Sequence, residues 1–150
     1  MKSTLLLGLL AVVSGALIPV QAASNAVLSR TIQGNVPFSA MVLFFAAFLA
    51  AAAAMLVSGQ PLPSLAELRE APWWSYSGGP IVAFYVLTIT FLAPRLGVGT
   101  AISLIVAGQV IAALTIDHFG LLRSLTFELT PTRVIGAVLM IVGVCLALKR

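Results

Sequence analysis

Charge is the scarcest commodity in this sequence. Its 150 residues include eight Lys or Arg and four Asp or Glu, so 8% are charged, against about 25% in an ordinary soluble domain. A water-soluble globule needs charged side chains to cover its surface, and this chain does not have them. Cysteine is nearly absent too. Cys145 stands alone, which excludes an intrachain disulfide and a cysteine-based metal site; it reads as a small apolar core residue. A single His and four acids leave little for hydrolysis. No nucleophile–base pair and no metal-ligand set is visible, so we expect neither an enzyme nor a resident cofactor. The net charge of +4 does not point to nucleic acid, because the basic residues are scattered singly.

What the chain has in excess is apolar length. Apolar types make up 61% of it, against roughly 45–50% in soluble domains. The charges divide this into stretches that can be measured against a bilayer, whose hydrocarbon core of about 30 Å takes roughly 20 helical residues. Thr4–Ala26, Val36–Val57, Trp73–Ala93 and Leu96–Ile116 all meet that length. The last run, Val134–Leu148, spans only about 22 Å at 1.5 Å per residue. Arg133 and Lys149 can snorkel to the headgroups, so helix 131–148 is expected as a short fifth span. The expected fold is all-α and integral to the membrane, with five transmembrane helices in one domain over residues 1–150.

Polar punctuation joins the spans. Gln33-Gly34-Asn35 with Pro37 opens the second helix, since proline suits a first turn. Gly59-Gln60-Pro61-Leu62-Pro63 closes it. Ser64 then caps a short segment, Leu65–Ala71, with Glu67 in the capping-box position. Trp73 and Trp74 follow, as indoles at a membrane–water boundary should. Pro94-Arg95-Leu96-Gly97 forms a tight third loop, and Asp117–Arg133 is the longest connection. The start of the chain has a second reading. Val20-Gln21-Ala22 imitates the small-x-small site of a secretory signal, but apolar character continues through Leu28, and we expect the first helix to be retained.

Five spans put Lys2, Arg69, Arg123 and Arg133 on one side, and Arg30, Arg95, Lys149 and Arg150 on the other. Four against four leaves no bias for the positive-inside rule to act on. Chance or one dominant helix could produce this balance. The sharper reading is dual topology: copies insert both ways and pair as an antiparallel homodimer. Two identical chains would then build the inverted repeat that many transporters carry within one chain.

Polar residues inside the spans are the candidate site. Ser14, Gln21 and Asn25, spaced by seven and four, share a helical face, and buried amides should face a bundle or wet cavity. Pro19 withdraws a hydrogen bond from the Gly15 carbonyl, so a kink is expected beside them. A broken helix with amides at the break is a pointer to a midplane site; the plainer reading is interhelical cross-linking. Gln109 lies mid-span, with Gly108 and Ala112 as a small-xxx-small pair. Pro80 frees the Tyr76 carbonyl next to Gly78 and Gly79, although Tyr76 also fits an aromatic belt. Tyr85 lies deeper, on a face with Thr88, and its hydroxyl needs a partner. Gly136 and Gly143 suit packing or dimer contact, and the Ala46–Ala54 region suits close packing. No span carries a carboxylate or a basic side chain in its interior. The nearest candidates for proton coupling are Asp117 and His118, histidine being the residue that titrates near physiological pH; a helix cap is their ordinary reading. This shortage weakens proton antiport of cationic drugs and leaves neutral, zwitterionic or amphiphilic cargo.

Certain residues also carry a family likeness. Gly15-Ala16-Leu17-Ile18-Pro19-Val20-Gln21-Ala22-Ala23-Ser24-Asn25-Ala26-Val27-Leu28 resembles the opening of a half-length bacterial family in the drug/metabolite transporter superfamily. Pro72-Trp73-Trp74, Gly78-Gly79, Gly108-Gln109, Asp117-His118-Phe119-Gly120, Gly136 and Gly143 follow in matching order. The resemblance covers nearly the whole chain. It implies an inner-membrane exporter subunit of five helices, often of dual topology, equivalent to half of a ten-helix transporter, with its first helix kept. It does not imply a substrate.

Two function classes follow. One is a small secondary exporter of small or amphiphilic molecules, its pathway lying between the subunits of an antiparallel dimer, with a second copy or a paralogue as partner. The other is a non-transporting membrane module that binds or scrambles lipid, or serves a larger complex. A polar, water-accessible cavity favours the first, and a dry interior with lipid-facing grooves the second.

Overall fold

A computed structural model describes residues 2–148, with side chains placed for residues 4–146. The Lys2, Lys149 and Arg150 side chains of the charge balance lie outside the described residues. The described chain is helical, with no strand. Its long elements are α1 (Lys2–Thr31), α2 (Val36–Ser58), the short α3 (Leu65–Glu70), α4 (Gly78–Leu96), α5 (Val98–Phe119) and α6 (Pro131–Leu148). Four segments are long and apolar enough to cross a bilayer: Thr4–Thr31, Val36–Ser58, Trp73–Leu96 and Val98–Phe119. Pro131–Leu146 is a shorter apolar helix. The chain divides into two compact units, Met1–Arg95 and Leu96–Arg150.

In the first unit the helix ends are built from local chemistry. Beyond Thr31, Gln33 takes a left-handed φ of 61°, and the Gly34 N–H donates to the Ser29 carbonyl at 2.8 Å. That six-to-one bond closes a Schellman motif. Asn35 caps α2 by accepting from the Phe38 N–H at 3.0 Å, and Pro37 stands in the first turn, where no intrahelical donor is needed. Gly59, at φ 65°, ends α2. The expected capping box is complete around α3: Glu67 N–H donates to Ser64 Oγ, and Ser64 N–H donates to Glu67 Oε2 at 2.7 Å.

Three boundaries differ from expectation. α1 runs past Ala26 to Thr31 and remains helical through Pro19; one missing N–H does not outweigh the apolar residues on either side. The third span opens as a 3₁₀ segment, Trp73–Ser77, and Pro80 is the third residue of α4, where its absent N–H costs nothing. The stretch Pro94–Leu96, expected as loop, is the last turn of α4. There the Arg95 guanidinium donates to the Phe91 carbonyl at 2.5 Å and lies 3.5 Å from the centre of the Phe91 ring.

Burial is confined to a few positions, most of them small or polar, with Val86 and Ile89 the larger apolar exceptions. Ala101 of α5 is the one buried residue of the second unit among the described residues. Ala22, Asn25, Ala26 and Ser29 of α1, Ser39 and Ala40 of α2, and Val86, Ile89, Thr90 and Ala93 of α4 are buried. The α1 and α4 sets each repeat at three- and four-residue spacing, which defines one helical face. Elsewhere large apolar side chains point outward: Leu6 is 68% exposed and Phe48 66%. Helices apolar on all sides belong in lipid, where close packing falls to small residues.

In the second unit Gly120, at φ 58°, ends α5, its N–H donating to the Ile116 carbonyl. The chain then turns back tightly. A Cβ at position 120 would lie 2.6 Å from Thr126 Cγ2, so only glycine fits the turn. Phe127 N–H donates to the Asp117 carbonyl at 2.9 Å, and Thr130 caps α6, accepting from the Val134 N–H at its carbonyl at 3.1 Å.

Candidate functional site: a polar groove between two helices

The amide-bearing residues of α1 line a groove shared with α2. Gln21, Ser24, Asn25 and Leu28 on one side, with Val42, Leu43 and Ala46 on the other, line a groove of about 240 Å³. Spacings of three and four place the α1 residues on one stripe, while the apolar run of α2 supplies the opposing wall. Asn25 is 4% exposed, and its Nδ2 donates to Thr90 Oγ1 of α4 at 2.6 Å. Gln21 is different. Its Nε2 is buried and has no hydrogen-bond partner. A buried donor left unmade costs about 1–3 kcal/mol, so one amide of the groove is satisfied and its neighbour is not.

Ser14, the third residue of the expected face, is two turns away; its hydroxyl donates to the Leu10 carbonyl of its own helix at 2.8 Å. Tyr76 is outside the groove, its hydroxyl donating to the Leu68 carbonyl at 2.6 Å, which ties the 3₁₀ segment to α3. Tyr85 is half-buried on α4, one residue before the buried Val86. Within the second unit Gln109 and Gly108 are exposed on α5. A Cβ on Gly108, Gly136 or Gly143 would meet nothing within 4 Å.

Asp117 and His118 are not brought together. Adjacent residues on a helix diverge. Asp117 Oδ2 pairs with Arg133 Nη2 at 3.0 Å, and Arg133 lies 5.4 Å from the Phe127 ring. The His118 ring meets Phe119 edge-on, with centroids 4.7 Å apart. The ion pair thus clasps the end of α5 to the start of α6. Among the described residues no group of three His, Cys, Asp or Glu side chains could hold a metal ion.

Sequence reasoning missed Ser24, Thr90 and Arg133. Ser24 sits within the α1 stripe at the spacing from Gln21 that marks a shared face. Thr90 was detectable as a hydroxyl in an apolar span, but its pairing with Asn25 crosses 65 positions. Arg133 was the basic residue at the far end of the only connection that begins with an acid.

Residues 6–146 match the family described as "Putative inner membrane exporter, YdcZ". The chain belongs to that family. No curated protein and no solved structure matches it. The match takes in all four membrane-length helices and the shorter apolar one, so this exporter is a multi-pass protein of the inner membrane. The exporter carries its polar stripe on the first helix of the matched region.

Proposed function

We propose that this exporter is a secondary transporter of small or amphiphilic molecules, acting as an antiparallel dimer of five-helix subunits with the pathway between them. Residues 1–150 form one membrane domain in this reading, with α6 as its short fifth span. The observation that carries it is the unpartnered Gln21 amide beside Asn25 in the α1–α2 groove. A membrane helix retains an unsatisfied buried amide at a cost, and a ligand hydrogen bond would remove that cost. Ser24 extends the same polar edge. Ser14, Tyr76, Tyr85 and Gln109 are further proposed contacts along the pathway. Two facts support pairing with a second copy: the even distribution of Lys and Arg, and the open space over Gly108, Gly136 and Gly143.

The test is solute flux in proteoliposomes containing only this chain, measured across neutral, zwitterionic and amphiphilic compounds. Saturable flux of at least one compound is expected. Redistribution of labelled lipid with no solute flux would instead establish the non-transporting, lipid-handling module.

A further inference from the structure

A second cavity of the first unit lies where α1 ends, α2 begins and α4 ends. Its volume is about 390 Å³, and its lining includes Ser29, Arg30, Gly34, Thr90, Phe91 and Arg95. Arg30 and Arg95 each stand one residue before the end of a membrane-length helix. A last-turn position suits a cation, because the helix macrodipole is negative there. That accounts for each arginine separately but not for both lining one cavity.

Both arginines are exposed, so solvent screens their mutual repulsion. Two cations lining one cavity still give it a positive potential that favours an anion. No carboxylate of the first unit lines it. Its acids, Glu67 and Glu70, belong to α3, which lies at the opposite end of α2. The one ion pair among the described residues is that of Asp117 with Arg133, so neither Arg30 nor Arg95 has an acidic partner among them. The rest of the lining suits an anion. The Phe91 ring fixes the Arg95 guanidinium from one face, and Arg95 Nη1 donates to the Phe91 carbonyl, leaving the other edge N–H groups to donate. Thr90 and Ser29 are buried hydroxyls. Thr90 already accepts from Asn25, so its own proton is the one left to give.

We infer that this two-arginine cavity is a binding site for a phosphate-bearing anion at the level of the lipid headgroups. Guanidinium forks match the oxygens of phosphate in two-bond geometry, and helix ends reach the headgroup layer, where phosphodiesters are abundant. The same chemistry would accept a soluble phosphate ester. The site is separate from the α1–α2 groove and does not depend on the transport reading.

The experiment is lipid and ligand binding to the purified full-length protein in uncharged detergent, followed by native mass spectrometry. Phosphatidylglycerol, phosphatidylcholine and glycerol phosphate are the probes. Phosphatidylglycerol is expected to bind more tightly than phosphatidylcholine. Arg30→Gln or Arg95→Gln should weaken it about tenfold each, as loss of a charged hydrogen bond implies, whereas Arg69→Gln on α3 should leave it unchanged. Glycerol phosphate binding with the same arginine dependence would identify a soluble ester as the ligand; its failure to bind would identify the lipid headgroup. If the glutamine variants do not fold, Arg30→Lys and Arg95→Lys keep the charge but not the fork, and should weaken binding less. Equal affinity for the two lipids, or equal losses in the Arg69 control, would overturn the site.

Discussion

The Asn25 side chain donates to Thr90 across 2.6 Å, joining α1 to α4 at a point where both residues are buried. This bond has two consequences. It ties up the amide of Asn25, which lines the groove, and it holds Thr90, which lines the two-arginine cavity. The groove and the cavity are therefore structurally coupled through one hydrogen bond.

Thr90→Val keeps the shape and removes the acceptor. Interhelical hydrogen bonds in membranes average about 0.6 kcal/mol, with values to about 1.7, so a loss in that range is expected. Unfolding of the single variants Asn25→Leu and Thr90→Val and of the double variant should give a non-additive cycle. Strict additivity would show that the two residues do not act together.

Gln21→Leu separates stability from function. Because Gln21 Nε2 has no partner, replacing it forfeits no hydrogen bond at that atom, and thermal stability should hold or rise slightly. Solute flux should fall to background. Full flux in Gln21→Leu together with full flux in Asn25→Leu would remove the groove from the pathway.

Asp117→Asn breaks the pair with Arg133. The two side chains are 33% and 37% exposed, so the loss should be small, within about 0–1 kcal/mol for solvent-screened ions. The pH–flux profile should keep its shape if the pair serves as a clasp. A flattened profile in Asp117→Asn, with a shifted one in His118 variants, would make them the proton-coupling pair instead.

Glu67 supplies a pH dependence outside the membrane. Hydrogen bonds from the Ser64 backbone and hydroxyl hold its carboxyl below the ordinary value. A carboxylate depressed in the folded state stabilises above its unfolded pKa and loses that contribution as pH falls through the folded one. Amides of α3 should therefore lose exchange protection as the solution is acidified below about pH 4. Glu67→Ala should abolish the pH dependence; an unchanged acid transition in that variant would exclude the capping box as its source.

Dual topology is tested by reporters fused after Arg150. Signal is expected from both sides of the membrane at native expression, and a one-sided signal would refute it. Two extra Lys residues at the same end should bias the C-terminus inward.

The membrane class, four membrane-length helices and the caps at Asn35 and Ser64 were legible in the sequence, because each depends on local facts. Apolar run length is set against bilayer thickness, and a cap joins residues three apart. The stripe of Gln21 and Asn25 was legible for the same reason, since helical spacing alone puts them on one face. Other features required the tertiary structure. Pro94 reads as a breaker, yet α4 continues through it, because the last turn is reinforced by Arg95 on the Phe91 carbonyl. The partner of Asn25 could not be read from spacing, nor could the gathering of Arg30 and Arg95 around one cavity. These depend on which faces of α1, α2 and α4 meet. In helices apolar on nearly every side, hydrophobic periodicity does not select a face. Close contact of small residues such as Ala22, Ala26 and Ala93, with the few polar atoms that must find one another, makes that selection.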